Sequence, residues 1–373
     1  MFLRKLLLKD FRLFSQEIFE FDNQVTIVVA PNAGGKSTVI ESIHLLSSGK
    51  SFRASKVEEM VSLEAEIAQV KAKVFPDQSS FDHDDELGGI DEMQLAILLT
   101  RGMVGGKRTQ KQHFSVNDNK RRKKDFVGNL LAVVFRPEDM RLIEGSPSRR
   151  REYFDSALTQ INKEYQVSLS QYEKILRQRN KLLFQIREGS QSRQALTYWN
   201  MSLVKHGEVI QEMRKKFTEF VNVAVESSLA FQFKYLPSII SKKRLMERVE
   251  TEIAAGFSLI GPHKDDFEVQ FILNGGNNND GEYRSLDAYG SRGQKRMGVL
   301  WLKKAELAYL KQESESLPIL LLDDILSELD ETNRKRVLEL VNGEQIIITT
   351  ADKDLVKEIK SQFQSAQIIN LQD

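Results

Sequence analysis

The sequence predicts an α/β fold with a mixed sheet, split by an inserted helical lobe. Three observations carry that prediction. First, the unbroken apolar run Val25-Thr-Ile-Val-Val29 passes through a Gly/Asn/Pro turn into an amphipathic segment, as a strand buried on both faces and followed by a helix would. Second, strand-like and helix-like segments alternate again from residue 256 onward. Third, two heptad-like apolar stripes lie between these regions, at Tyr165, Leu169, Tyr172, Leu176, Leu183 and Ile186, and at Trp199, Leu203, His206, Ile210, Met213, Phe217, Phe220 and Ala224.

In chain order, residues 1–30 read as strands, with Phe19 and Phe21 alternating against Glu20 and Asp22. Thr38 to about Ser47 reads as a helix with Val39, Ile43 and Leu46 on one face. Residues 51–132 are mixed. The acidic segment Phe75–Gly89 reads as an exposed loop, Leu95–Thr100 as a strand, and Asn117–Lys124 as a turn with a basic run. The two stripes, joined at Gly189-Ser190, read as an antiparallel helical hairpin in which Arg179 interrupts one step. Phe267, Val269 and Phe271 then alternate as a strand, and Asn274–Gly281 reads as a turn. A helix from Met297 to about Lys311, the strand Ile319–Leu322, another helix and a last apolar strand, Ile346–Ile348, complete the chain. The expected division is 1–146 and 251–373 for the two parts of one α/β head, and 147–250 for the helical lobe.

Composition narrows the function classes. The chain has 373 residues, with 54 Lys+Arg against 53 Asp+Glu, so contacts with a polyanion must come from local basic patches and not from net charge. It has no cysteine, which excludes disulfides, thiolate metal sites and cysteine nucleophiles. The N-terminal apolar stretch is short and interrupted by Arg4, Lys5 and Lys9, and no apolar run of ~18 residues follows. The expectation is a soluble cytoplasmic protein.

The turn after the first buried strand is Ala30-Pro31-Asn32-Ala33-Gly34-Gly35-Lys36-Ser37-Thr38. A glycine-rich turn between strand and helix lets backbone N–H groups surround phosphate oxygens. Lys36 supplies positive charge there, and the Ser37 hydroxyl suits Mg²⁺. Ala30 stands where the P-loop pattern has its first glycine; a positive φ at that alanine would cost ~1 kcal/mol. Downstream, the aliphatic run ending Leu322-Asp323-Asp324 places two carboxylates at a strand end. Asp323 is the candidate Mg²⁺ ligand, and Asp324 the group that polarises the attacking water. Ser291-Arg-Gly293-Gln294 opens a helix, where a hydroxyl, an amide and the helix dipole together favour a phosphate. Ser291 reads either as a plain helix cap or as a group that completes the ATP site of a second subunit.

These segments resemble the RecF family, recombination mediators in the SMC-like branch of the ABC ATPases. The resemblance rests on Lys9-Asp-Phe-Arg12, Ala30–Thr38, Gly49-Lys-Ser-Phe-Arg53, Val133-Val-Phe-Arg-Pro-Glu-Asp139, Gly145-Ser-Pro-Ser-Arg-Arg-Arg151, Gly261-Pro-His-Lys-Asp-Asp266, the Ser291 segment and Leu321–Asp330. It implies an ABC-type P-loop ATPase head with a helical lobe, ATP and Mg²⁺ as ligands, slow DNA-stimulated hydrolysis, and dimerisation on ATP. It also implies binding to gapped DNA at single-strand/duplex junctions, and RecA loading with the partners RecO and RecR. The chain departs from the family at Ala30 and Ala33, where glycine is usual, and at Gly34, where glutamine is common. Residues 136–139 offer no glutamine, and Thr349-Thr350 follow the last strand where a transporter ATPase has histidine.

The candidate DNA contacts are Lys107, Arg108 and Lys111; Lys120, Arg121, Arg122, Lys123 and Lys124; and Arg149, Arg150 and Arg151. Each cluster reads equally as a solvated face, and the arginines also as supports at the base of the lobe. His263 reads as a DNA contact or a turn cap. Two rival functions share parts of the pattern: a transporter ATPase subunit, and a nucleotide-gated clamp that does not hydrolyse.

Overall fold

The structure is a computed structural model that describes residues 1–22, 24–76, 92–224, 230–272, 282–314, 316–338 and 343–371. The chain forms two compact units, Met1–Asp139 with Leu310–Asp373, and Met140–Tyr309. The expected lobe 147–250 lies inside the second unit, which runs on to Tyr309 and includes the Ser291 segment.

The first unit begins with β1 (Phe2–Phe11), β2 (Phe14–Glu20), β3 (Val25–Val29), helix α1 (Lys36–Ser48), β4 (Ile67–Phe75) and β5 (Met93–Thr100). Two short strands follow, β6 (Met103–Val104) and β7 (Lys107–Arg108), and then β8 (Gln112–Val116) and β9 (Asn119–Arg121). An antiparallel sheet has the order β2-β1-β4-β5-β8-β9. Its period-2 alternation sends Leu6 and Leu8, Val70 and Val74, and Leu95, Ile97 and Leu99 into the core beside Val39, Ile43 and Leu46 of α1. The turn expected over Asn117–Lys124 is confined to Asn117 and Asp118, at φ 49° and 58°. Both residue types tolerate that left-handed geometry, and it suits a two-residue hairpin. Lys120 and Arg121 are in β9, and Lys123 and Lys124 open a one-turn helix, α2 (Lys123–Phe126). Of the expected acidic loop, Phe75 is the last residue of β4; residues 77–89 lie outside the described residues, as do 274–281.

β10 (Ala132–Phe135) leads to the second unit. There α3 (Pro147–Ile161) precedes α4 (Lys163–Arg187) and α5 (Leu196–Ala224), which form the expected hairpin. Bonds from Arg179 to Asn200 and from Arg214 to Tyr165 fix its antiparallel register. The seam differs from the expected stripes. On α5 the buried positions are Leu196, Leu203, Gly207, Ile210, Arg214, Phe217, Thr218 and Val221, whereas His206, Met213 and Phe220 are half-buried and Ala224 is exposed. On α4, Ile175 is buried in place of Leu176, and Arg179 belongs to the seam. A stripe drawn through apolar residues alone passes over a glycine and two arginines. Gly207 is needed because a Cβ there would come within 2.8 Å of Ile240. The arginines are buried because acceptors surround them. β11 (Gln232–Leu236), helix α6 (Lys242–Ala255), β12 (Asp266–Ile272), β13 (Tyr283–Ser285), α7 (Leu286–Tyr289) and α8 (Arg292–Glu313) follow, with β11-β12-β13 as an antiparallel sheet. The last helix starts five residues before Met297, directly after Ser291.

The chain ends with β14 (Ile319–Asp323), α9 (Glu331–Leu338), β15 (Ile346–Thr350), α10 (Lys353–Gln362) and β16 (Gln367–Asn370). Ile346–Thr350 is therefore not the last strand. Gln367-Ile-Ile-Asn370, half-buried except for the exposed Asn370, runs along the edge beside β3 and lacks the long apolar run that marks the central strands. A wholly parallel sheet results, in the order β10-β14-β15-β3-β16. The mixed character expected of the sheet is thus divided between one parallel and one antiparallel sheet.

Candidate functional site

The ends of β3, β14 and β15 meet at one edge of the parallel sheet. Asp323 pairs with Thr349, and Thr349 with Val28, so a carboxylate and a hydroxyl lie in one row two residues before the phosphate-loop turn. The loop is tight. A Cβ on Gly34 would lie 3.0 Å from Ala30 Cβ, and one on Gly35, at φ 89°, would come within 2.6 Å of the Phe14 ring. Ala30 takes no positive φ; Ala33 does, at 68°. The strain expected at Ala30 therefore sits at Ala33, at a cost of roughly 1–2 kcal/mol. Helix α1 starts at Lys36, two residues earlier than the sequence pattern indicated. It has no side-chain cap and no acidic residue in its first turn; Thr38 N–H donates to Gly35 O at 2.9 Å, so the N–H groups of Lys36 and Ser37 are the ones an anion could take.

Lys36 is 6% exposed, and its ammonium donates to the carbonyls of Ala30 (2.7 Å) and Pro31 (2.9 Å). The Ser37 hydroxyl donates to Asp323 at 2.9 Å, and the Thr349 hydroxyl does the same at 2.9 Å. Burial pushes the Asp323 carboxyl above the ordinary aspartate range, the bonds from Ser37 and Thr349 pull it down, and the charge of Glu138 adds to the rise. Burial also raises Asp324, against the Lys36 charge and a Ser327 hydrogen bond. Asp324 adopts φ 52°, and its N–H donates to Thr349, so its carboxylate leaves the strand in a different direction from that of Asp323. Thr349, Glu138 and Arg53 act on Asp323 although the sequence did not single them out as site residues. For Thr349 the available signal was an aliphatic strand that turns polar at its end.

The donors fit a magnesium nucleotide. Among the described residues no cluster of three metal-binding side chains exists. Mg²⁺ characteristically takes one or two protein oxygens and completes its shell with phosphate and water, which Ser37 and Asp323 allow. The helix start carries no side-chain cap, and the glycines at 34 and 35 let the turn close against Ala30 and the Phe14 ring just before it.

In the second unit, Ser291 caps α8. Gln294 N–H donates to its hydroxyl at 3.3 Å, and Ser291 N–H donates back to Gln294 Oε1 at 2.8 Å. This is a reciprocal capping box, which leaves the hydroxyl proton free for another acceptor. Gly293 lies in the first turn, exposed. His263 is a turn support. Its Nε2 donates to Ser258 O at 3.1 Å, and its Nδ1 accepts from the Tyr172 hydroxyl at 2.7 Å. Burial lowers its pKa to about 4.

The folded-state value for His263 is thus depressed below the unfolded 6.5. The unfolded chain takes up the proton first, and the stability contributed by neutral His263 is present above pH 6.5 and lost as pH falls towards 4. Relative to His263→Gln, the parent is expected to lose about 2 kcal/mol of stability between pH 7 and pH 4.5. Urea titrations at both pH values measure this; a pH-independent difference between parent and variant would refute it.

The basic candidates divide. Lys107, Arg108, Lys120, Arg121, Arg122 and Lys124 are exposed. Lys111 pairs with Glu58, and Lys123 donates to Gly49 O at 2.7 Å. Arg150 grips Asp266 and the carbonyls of Ile143 and Gly145; Arg151 donates to Asp265 O, and Arg149 is half-buried. Arg150 and Arg151 thus serve the second unit's interior. Among the described residues no helix is long and apolar enough to cross a membrane.

A parallel sheet whose strand ends gather a glycine turn, a lysine, a hydroxyl and a carboxylate defines a P-loop ATPase head of the ABC type. The family model "RecF/RecN/SMC N terminal domain" matches residues 2–369. The chain is 35% identical to the DNA replication and repair protein RecF of Thermoanaerobacter pseudethanolicus, covering 96% of each chain, and 32% identical to that of Ligilactobacillus salivarius, covering 94% and 91%. A solved structure of the recombination mediator protein RecF with ATP, of the RecFOR pathway, matches with TM-score 0.79 and 30% identity over 94% of this chain and 92% of that one. The chain belongs to the RecF family of DNA replication and repair proteins.

Proposed function

We propose that this protein binds ATP with Mg²⁺ at Lys36, Ser37 and Asp323, pairs with a second copy through that nucleotide, and in the paired state holds gapped DNA so that a recombinase can be loaded. The observation that carries the reading is the convergence of Ser37 and Thr349 on Asp323 beside a lysine already stripped of water. Ser37 and Asp323 would hold Mg²⁺, which would supply charge neutralisation for the phosphates. Asp324 orients a water and accepts its proton, and its raised pKa suits a base that holds a proton briefly. An aspartate reaches less far than a glutamate, so turnover is slow. Ser291 and Gly293 face the triphosphate held by the partner copy, using the hydroxyl proton that the capping box leaves free. The RecFOR pathway named for the solved relative supports RecR and RecO as partners; RecA follows from the family resemblance alone.

Sedimentation with and without ATP tests the pairing. Ser291→Arg is expected to leave ATP affinity of the monomer within about threefold, while weakening dimerisation by about 3 kcal/mol or more, roughly a hundredfold. Dimers of the variant at parental strength would overturn the shared site.

A further inference from the structure

We infer that the open face of the antiparallel sheet is a docking surface for the phosphate backbone of duplex DNA; this rests on the DNA-binding reading above and gives it a location. The side chains opposite the core-facing rows are strongly biased in charge. Lys5 lies directly across from Lys73, and Lys71 lies across from Leu7, diagonal to both Lys5 and Lys9. Ser115, two strands further on, faces Lys120. Lysines placed opposite and diagonal to one another repel and weaken a sheet, and among the described residues only two of them meet a carboxylate. Glu20 pairs with Lys5 and Glu92 with Lys73, at 2.8 and 2.6 Å. The side chains of Lys9, Lys71 and Lys120 have no ion-pair or hydrogen-bond partner among the described residues.

Shape and composition choose the occupant. From β1 to β9 the lysines span four strand spacings, about 19 Å, and from Lys5 to Lys9 about 13 Å along the strand, the scale of a duplex lying across the sheet. Gln16, Gln69 and Gln94 stand in the same rows as further donors. The exposed apolar side chains here, Ile18, Ile67 and Leu98, are aliphatic. Single strands are held by bases stacked on aromatic rings; among the described residues this face offers no exposed Phe, Tyr or Trp, and only the half-buried His113 beside Leu98. Contacts to a repeating phosphate backbone need only well-placed cations, and they carry no sequence preference. Four of these five lysines lie outside the clusters that the sequence marked.

The test uses the full chain with ATP, a fluorescent 30-base-pair duplex and an oligo(dT) of equal length, titrated by anisotropy at several salt concentrations. Lys9→Gln, Lys71→Gln and Lys120→Gln are combined in one variant. The expected result is duplex affinity lower by about tenfold or more, and a log–log salt slope shallower by about two to three, with oligo(dT) and ATP binding within about twofold of the parent. A second variant removes Lys181, Lys205 and Lys242, which are exposed in the other unit; it is expected to bind duplex like the parent. Unchanged duplex affinity and slope in the first variant, or equal losses in both variants, would overturn the assignment to this face. A parent chain that binds no duplex at all would sink the DNA reading along with it.

Discussion

Lys36→Met is expected to lower ATP affinity by about a hundredfold, near 3 kcal/mol, and to abolish ATP-dependent dimers. The magnitude follows from the geometry of the loop. The Lys36 ammonium is almost fully buried and bonded to two loop carbonyls, Ala30 and Pro31. Much of its desolvation has therefore already been met by folding, and it is held beside the bare start of α1. A charged donor positioned in this way contributes about 1.5–3 kcal/mol through each charge-assisted hydrogen bond, more than a water-exposed lysine would. Methionine has similar length and volume but neither charge nor donor. It leaves the two carbonyls without their partner, which costs on the order of 1 kcal/mol of stability, too little to unfold a domain. The fold and the binding loss are thus separable. Calorimetric titration with ATP and Mg²⁺ measures the affinity, and thermal unfolding without nucleotide measures the fold. Binding within threefold of the parent would show that the triphosphate does not lie at Lys36.

Features that depend on a short run of residues were legible in the sequence. The aliphatic runs of β3, β14 and β15 marked a sheet buried on both faces, and the glycines before Lys36 marked a loop that must admit phosphate, because each signal is local. What was lost required partners distant in the chain. Thr349 reads as an ordinary strand end until the register of β14 against β15 sets it beside Asp323, 26 residues away. The strain expected at Ala30 moved to Ala33, since the motif names the residues and not the torsion each one takes. The basic face of the antiparallel sheet was invisible for a related reason. Lys5, Lys9, Lys71 and Lys73 come from two separate segments, and only the pairing of β1 with β4 gathers them. The seam of α4 and α5 was misread where charged side chains took core positions, because a hydrophobicity pattern assigns every arginine to the surface.

One of those arginines gives the largest expected loss of stability. Arg214→Leu is expected to destabilise the second unit by about 3–5 kcal/mol. The guanidinium is 1% exposed. It donates to Asp265 (2.9 Å), the Pro262 carbonyl (2.9 Å), the Tyr165 hydroxyl (3.0 Å) and Asp155 (3.1 Å). Asp265 is wholly buried and also accepts from Gln211, from the Ser238 N–H and from the Tyr235 hydroxyl. Those bonds are neutral, so removal of Arg214 leaves a carboxylate in the interior with no cation bonded to it, and the cost of an unpaired buried charge exceeds the value of the lost bonds. Leucine fills part of the volume, so the penalty is mainly electrostatic and not that of a cavity. Adding Asp265→Asn to Arg214→Leu should therefore recover part of the loss, whereas two independent sites would add their costs. The chain carries two tryptophans, Trp199 and Trp301, both in the second unit, so their fluorescence during urea unfolding reports on that unit. A single-variant loss below about 1 kcal/mol would refute the role of Arg214 as the charge partner of Asp265, and would mean that the Gly261–Asp266 turn owes its shape to its other hydrogen bonds.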